Sequence, residues 1–209
     1  MTELEAVNTL LGIIGEAPID RLADVSVNDI DDSSLARKTL REIERDVQAE
    51  GWGWNTDYGV ELQKELGTNQ FPLPSNQLTV YFSPSRYPNQ QYVARGNRVY
   101  DRVKRTYDFG DDFTGPLIAD QMVTRLAWDE MPHQAQQYAT IRAARIYSDR
   151  YVNSNVIYTY TVQDEEYARA MLIRAEESQL GNNLLWGNDR GSAHGLSYFP
   201  AEGTRFRTR

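Results

Sequence analysis

Residues 129–154, which read DEMPHQAQQYATIRAARIYSDRYVNS, decide how the rest of the chain can fold. Pro132 suits the first position of a helix, where its missing N–H has no partner to lose. Asp129 and Glu130 precede it and would interact favourably with the positive end of the helix dipole. No glycine or proline follows before Gly181. The segment therefore predicts an unbroken helix of about 20 residues, or roughly 30 Å at 1.5 Å per residue.

One face of this predicted helix carries a stripe typical of burial. Tyr138, Ile141, Ala144 or Arg145, and Tyr147 or Ser148 recur at helical spacing. The small side chains would let another helix approach closely; they are Ala135, Ala139, Ala143 and Ala144. The helix is therefore predicted to pack against other helices.

Arg142, Arg145 and Arg150 flank the stripe and have two interpretations. Long basic side chains often lie along apolar surface and keep their charge in water. They could equally pair with carboxylates of a neighbouring chain. Arg142 and Arg145 are therefore candidate partner-binding residues.

Three further helices are predicted, two near the N-terminus and one after residue 160. Thr2 and Glu5 have the spacing of a capping box, and one of the residues Asp31-Asp32-Ser33-Ser34 can cap a second helix that ends before Gly51. The fourth helix is expected over residues 163–180, with acidic residues in its first turn. Its expected buried stripe consists of Tyr167, Ala170, Met171, Arg174 and Ala175.

The middle of the chain reads as short strands. Candidate strands occupy residues 51–55, 58–62 and 78–82, another lies within residues 117–128, and residues 91–95 and 98–103 flank Gly96-Asn97 as in a hairpin. Helices followed by strands and then helices predict an α+β fold: a helical bundle built from the N- and C-terminal helices, with an inserted small antiparallel β-sheet. The expected units are residues 1–51 and 129–181 for the bundle, 52–128 for the β-rich insertion, and 182–209 for an extended C-terminal arm.

Composition excludes several classes of protein. The 209 residues include no cysteine and only two histidines, His133 and His194, so we expect no disulfide, no zinc site and no cofactor. No apolar run is long enough to span a membrane. The net charge of −8 argues against a sequence-specific or general nucleic-acid binder. The charge is uneven, since residues 1–50 are acidic whereas residues 92–108 and the C-terminal tail are basic.

Catalytic motifs are missing from the sequence, which has no phosphate-binding loop and no nucleophile elbow. Asp57 and Glu61 lie near Trp52 and Trp54, and a pair of carboxylates beside aromatic residues could act on or bind a sugar. Chance pairing in a chain with 30 acidic residues explains the same pattern. The 13 tyrosines fit either a protein interface or sugar stacking. We therefore expect no catalytic residue, and a carbohydrate-active or sugar-binding protein remains the alternative.

The C-terminal arm is a candidate for contacts with other proteins because it combines aromatic and basic side chains without a helical or strand period. Its candidate partner-binding residues are Trp186, Tyr198, Phe199, Arg205, Phe206 and Arg207.

Several short motifs, in order along residues 6 to about 175, resemble the tail tubular protein A family of short-tailed bacteriophages. They are Ala6-Val7-Asn8, Gly15-Glu16-x-Pro18, Gly51-Trp52-x-x-Asn55, Tyr92-Val93-x-Arg95-Gly96, Val99-Tyr100-Asp101-Arg102, Asp129-Glu130-Met131-Pro132, Ala143-x-Arg145 and Asp164-Glu165-Glu166-x-Ala168-Arg169. The arm after residue 181 has no counterpart in the resemblance.

The resemblance implies a structural virion protein of the phage tail, made in the host bacterial cytoplasm. Such a protein forms a head-to-tail adaptor ring, expected to be dodecameric, that joins the portal protein to the tail nozzle and surrounds part of the DNA ejection channel. Its implied partners are copies of itself, the portal protein, tail tubular protein B of the nozzle, and the tail fibres. The family carries no catalytic residues, no cofactor and no membrane contact.

Overall fold

The structure, a computed structural model, describes residues 1–22, 31–151 and 162–179 of the chain. Within these ranges it contains four α-helices and five β-strands, with 3-10 turns at Gly53–Asn55 and Trp128–Glu130. The helices are α1 (Glu3–Ile13), α2 (Asp32–Ala49), α3 (His133–Tyr151) and α4 (Val162–Gln179), and the strands are β1 (Thr56–Leu62), β2 (Gln77–Tyr81), β3 (Tyr92–Arg95), β4 (Arg98–Asp101) and β5 (Leu117–Thr124). The α+β prediction is confirmed.

The capping box predicted for the first helix is confirmed, and the structure selects Asp31 among the residues predicted to cap the second. The Thr2 hydroxyl accepts a hydrogen bond from the Glu5 N–H, and the Glu5 carboxylate accepts one from the Thr2 N–H at 2.8 Å. The Asp31 carboxylate accepts from the Ser34 N–H in the same way. Gly51 follows α2 with φ +78°, a conformation that glycine adopts without steric cost.

Helix α3 lies at the centre of the helical unit, as its alanines predict. It contacts α1, α2 and α4, and Ala135, Ala139, Ala143 and Ala144 are fully buried. The helix begins at His133, one residue later than predicted, and the Pro132 carbonyl accepts from the N–H groups of residues 135 and 136. The N- and C-terminal helices thus share one core.

The predicted buried stripe of α4 is wrong. Its buried residues are Ala168, Leu172 and Glu176, whereas Tyr167 is 70% exposed. Apolar side chains lie on more than one side of α4, so spacing alone does not select a face. The observed face places the small Ala168 side chain and the ion-pairing residues of α4 against α3.

The β-rich region has two separate antiparallel parts. β5 is the central strand of a sheet with the order β1-β5-β2, and β3 pairs with β4 as the predicted hairpin. Phe71, Phe82, Tyr92 and Phe109 lie in the core between them, with their rings in mostly edge-to-face contact.

Residues 51–55 were predicted as strand and are not, and the strand predicted within residues 117–128 ends at Thr124. Trp52 donates its backbone N–H to the Asn55 side chain, which closes a 3-10 turn before β1. At the end of β5, the Leu126 N–H donates to the Gln48 side chain on α2 at 2.7 Å. Contacts with α2 therefore replace strand pairing at both positions.

Candidate interaction surfaces

Arg142 and Arg145 lie at the contact between α3 and α4. Arg145 Nε donates to Glu165 on α4, and this hydrogen bond raises the pKa of the Arg145 guanidinium. Arg142 lies 3.7 Å from Glu165 and 3.5 Å from Glu50. Both arginines therefore have carboxylate partners within the chain, and their contact with a neighbouring chain stays a prediction.

A second cluster joins α4 to the end of α2. Arg169 Nη2 lies 2.9 Å from a Glu50 carboxylate oxygen, and Arg169 Nη1 donates to the Tyr138 hydroxyl at 3.1 Å. The hydrogen bond with Glu50 raises the pKa of Arg169 above its ordinary value. Arg150, in the last turn of α3, pairs with Glu42 on α2 at 2.9 Å. The sequence alone does not predict these bonds within the chain.

A buried polar group joins the helices to the sheet. The Glu44 side chain on α2 is 6% exposed, and it accepts from Arg125 Nη2 at 2.9 Å and from Gln48 Nε2 at 2.7 Å. Gln48 also donates to the Leu126 carbonyl, while Asn55 donates to the carbonyls of Gln48 and Thr124. Glu44 and Gln48 lie four residues apart beside the apolar stripe of α2. This spacing is the feature of the sequence that indicates two polar side chains on the same buried side of the helix.

The residues proposed for a sugar site are not brought together. Trp52 is 1% exposed, and its indole N–H donates to the Val47 carbonyl at 2.7 Å, so it cannot stack on a ligand. Asp57 and Glu61 are exposed on one strand, four residues apart. At about 3.3 Å per residue their backbones are up to about 13 Å apart. Nothing in the described part of the chain favours the sugar alternative.

The β3–β4 hairpin presents arginine and tyrosine on its outer side. Arg95 and Arg98 are directly paired across the two strands, and the Arg95 guanidinium lies 3.8 Å from the centre of the Tyr100 ring. An open cleft of about 420 Å³ adjoins them and is lined also by Gln70 and Tyr107. Arginine and tyrosine are enriched among the residues that contribute most to protein–protein binding.

The candidate residues of the C-terminal arm lie outside the described residues; they are Trp186, Tyr198, Phe199, Arg205, Phe206 and Arg207. Within the described ranges, no group of three or more histidine, cysteine, aspartate or glutamate side chains could hold a metal ion. In those same ranges, no helix has the length and apolar character needed to cross a membrane.

Comparison with known proteins gives one match that covers most of the chain. The family model Tube, described as tail tubular protein, matches residues 4–182. No curated protein matches the chain. The matched span includes all five strands and all four helices described above except Glu3, the first residue of α1.

Proposed function

The chain belongs to the tail tubular protein family of phage tail structural proteins, and we propose that it forms the adaptor ring between the portal and the tail nozzle. In this role it is a virion component that surrounds part of the DNA ejection channel and is made in the host cytoplasm. Its partners are copies of itself in a dodecameric ring, the portal protein, tail tubular protein B of the nozzle, and the tail fibres. The observation that carries the proposal is the family match over residues 4–182.

We propose that the chain divides into a helical body, residues 1–51 and 129–181, and a β-rich insertion, residues 52–128. In this proposal residues 182–209 act as an arm that contacts a neighbour or the portal. The bonds of Gln48 and Asn55 to the end of β5 support a fixed relation between the helical body and the insertion. A ring subunit needs this rigidity, because small errors in the angle between copies would prevent closure.

We propose two groups of residues for contacts with partner proteins. Arg142 and Arg145 are half-buried between α3 and α4, so their exposed edges are available to a neighbour while their carboxylate partners hold them in place. The arm supplies aromatic and basic side chains at Trp186, Tyr198, Phe199, Arg205, Phe206 and Arg207.

Deletion of residues 182–209 tests the role of the arm. The shortened protein should keep the helical circular dichroism and thermal unfolding of the full chain but should not bind purified portal protein in a sedimentation assay. Normal binding by the shortened protein would show that the arm does not join the portal.

The channel role predicts weak binding to DNA, since a net charge of −8 repels the phosphate backbone. Filter binding with duplex DNA at low salt measures it. Tight binding of the assembled ring to duplex DNA would contradict the proposal that the ring surrounds a channel through which DNA passes.

A further inference from the structure

The β3–β4 hairpin has one buried face and one outer face, set by the alternation of side chains along its strands. Tyr92, Val99 and Asp101 are buried. The alternate positions, which lie on the outer face, are Val93, Arg95, Arg98, Tyr100 and, just beyond β4, Arg102. We call this set, with Lys104 and Arg105 of the following turn, the basic hairpin face.

The turn after β4 holds its cations in a defined position. The buried Asp101 carboxylate accepts from the N–H groups of Val103 and Lys104 at 2.8 and 3.0 Å. Asp101 and Thr106 exchange backbone hydrogen bonds that close the turn, and Arg105 has φ +57°, which is uncommon for a residue with a long side chain. Hydrogen bonds therefore fix the conformation of this turn, which exposes positively charged side chains.

Most of this charge is unpaired within the described residues. Arg98 pairs with Glu65 at 3.3 Å, whereas no ion pair in the described ranges involves Arg95, Arg102, Lys104 or Arg105. Arg95 and Arg98 lie directly opposite each other on the paired strands. Like charges in such a position destabilise strand pairing. An anionic partner would remove this cost.

The opposite edge of the three-stranded sheet carries the complementary charge. β1 is an edge strand, whereas the hairpin contacts β2 at the other edge. Asp57 and Glu61 lie on one face of β1, both exposed, and neither has an ion pair within the described residues. We call these two residues the acidic edge.

The spacing of the charges matches. Asp57 and Glu61 are four residues apart along β1, as are Arg98 and Arg102 along β4 and its extension. Each interval spans up to about 13 Å at roughly 3.3 Å per residue. One carboxylate can therefore meet Arg95 and Arg98 while the other meets Arg102.

We propose that the basic hairpin face of one copy binds the acidic edge of the next copy around the ring. The contact is heterologous, since two different surfaces of the same chain meet, and such contacts generate rings when the rotation between copies closes. Arg98 already binds a carboxylate of its own chain, and the chain is acidic overall, which favours protein carboxylates over nucleic-acid phosphates as the partner. This inference rests on the proposed ring.

A pair of charge-reversal variants tests the contact. The hairpin variant carries Arg95→Glu and Arg102→Glu, and the edge variant carries Asp57→Arg and Glu61→Arg. In either variant alone, like charges face each other across every contact. The concentration needed for assembly, measured by analytical ultracentrifugation, should rise by more than about 100-fold.

Mixing the two variants should restore assembly. The acidic hairpin of one variant then faces the basic edge of the other, and the basic hairpin of the second faces the acidic edge of the first. Native mass spectrometry should detect oligomers with equal numbers of the two variants. The matched control carries Lys38→Glu and Arg45→Glu on the exposed side of α2. It lowers the net charge by as much as the hairpin variant does, and it should assemble like the wild type.

The outcomes separate this inference from the proposed function. A wild-type chain that never assembles would overturn both. Wild-type rings with unaffected variants, or equal loss in the α2 control, would overturn the hairpin contact alone. The hairpin contact would also be overturned if the mixture failed to assemble although both variants unfold at the wild-type temperature. Retained assembly with lost DNA binding in the hairpin variant would assign the face to nucleic acid instead.

Discussion

Arg125→Met tests whether the buried Glu44 joins the helices to the sheet. The substitution keeps most of the side-chain volume but removes the cation at 2.9 Å from a carboxylate that is 6% exposed. Removing one partner of a fully buried ion pair costs about 3–5 kcal/mol. Arg125 is itself 32% exposed, and Gln48 still donates to Glu44, so we expect roughly half of that, about 2 kcal/mol. For a chain of this size the unfolding temperature should fall by about 4–8 °C.

The assay is urea unfolding followed by tryptophan fluorescence, since Trp52 and Trp128 lie in the helical core. The double variant Glu44→Gln with Arg125→Met carries no charge at the junction, and Gln48 can still bond to the new amide. It should be more stable than Arg125→Met alone, with a coupling energy of about 1–2 kcal/mol between the two sites. A single variant within about 0.5 kcal/mol of the wild type, or simple additivity in the double variant, would refute the reasoning.

Three further predictions concern packing, backbone conformation and pH. Leu172→Ala should destabilise the protein by about 2–4 kcal/mol in urea unfolding, whereas Met171→Ala on the exposed side of α4 should cost less than about 1 kcal/mol, and equal costs would contradict the observed face. Gly51→Ala should lower the unfolding temperature more than Gly59→Ala. Both glycines have positive φ, but a Cβ at Gly51 would lie 3.1 Å from a valine methyl group, whereas a Cβ at Gly59 would meet no atom within 4 Å. The reverse order of unfolding temperatures would contradict this packing. Burial raises the pKa of Tyr147 from 10 to about 12, so the folded state holds this proton more tightly and the resulting stability is intact below pH 10 and lost as the pH rises towards 12. Tyr147→Phe should lower stability by about 1 kcal/mol at neutral pH through the lost bond to the Asp32 carbonyl, and this difference should shrink or reverse at high pH; a constant difference across that range would contradict the shift.

The sequence predicts the elements whose signals are local. The capping box at Thr2 and Glu5, the start of α2 within residues 31–34 and the Gly96-Asn97 hairpin all depend on residues within four positions of each other, and all three are confirmed. Most of the buried stripe of α3 follows in the same way from its spacing and its alanines: Tyr138, Ala144 and Tyr147 are buried, whereas Ile141 is only half-buried.

Features that depend on distant partners escaped prediction. The buried face of α4 is selected by its contact with α3, and the 3-10 turn before β1 is selected by contacts around Trp52 and α2. The Glu44 group joins residues about 80 positions apart in the sequence. Arg142 and Arg145 were identified as ion-pairing residues from their position on α3, but nothing near them in the sequence indicated Glu165 or Glu50 as partners within the chain.

The most direct test of the account is the mass of the assembled wild-type protein. Native mass spectrometry of the purified 24.0-kDa chain, alone and with portal protein, should detect a closed oligomer with one dominant number of copies, expected to be twelve by resemblance to the family. Electron microscopy of the same sample should show rings with a central opening. A chain that stays monomeric at every concentration and in the presence of portal protein would contradict a function exercised through contacts between copies.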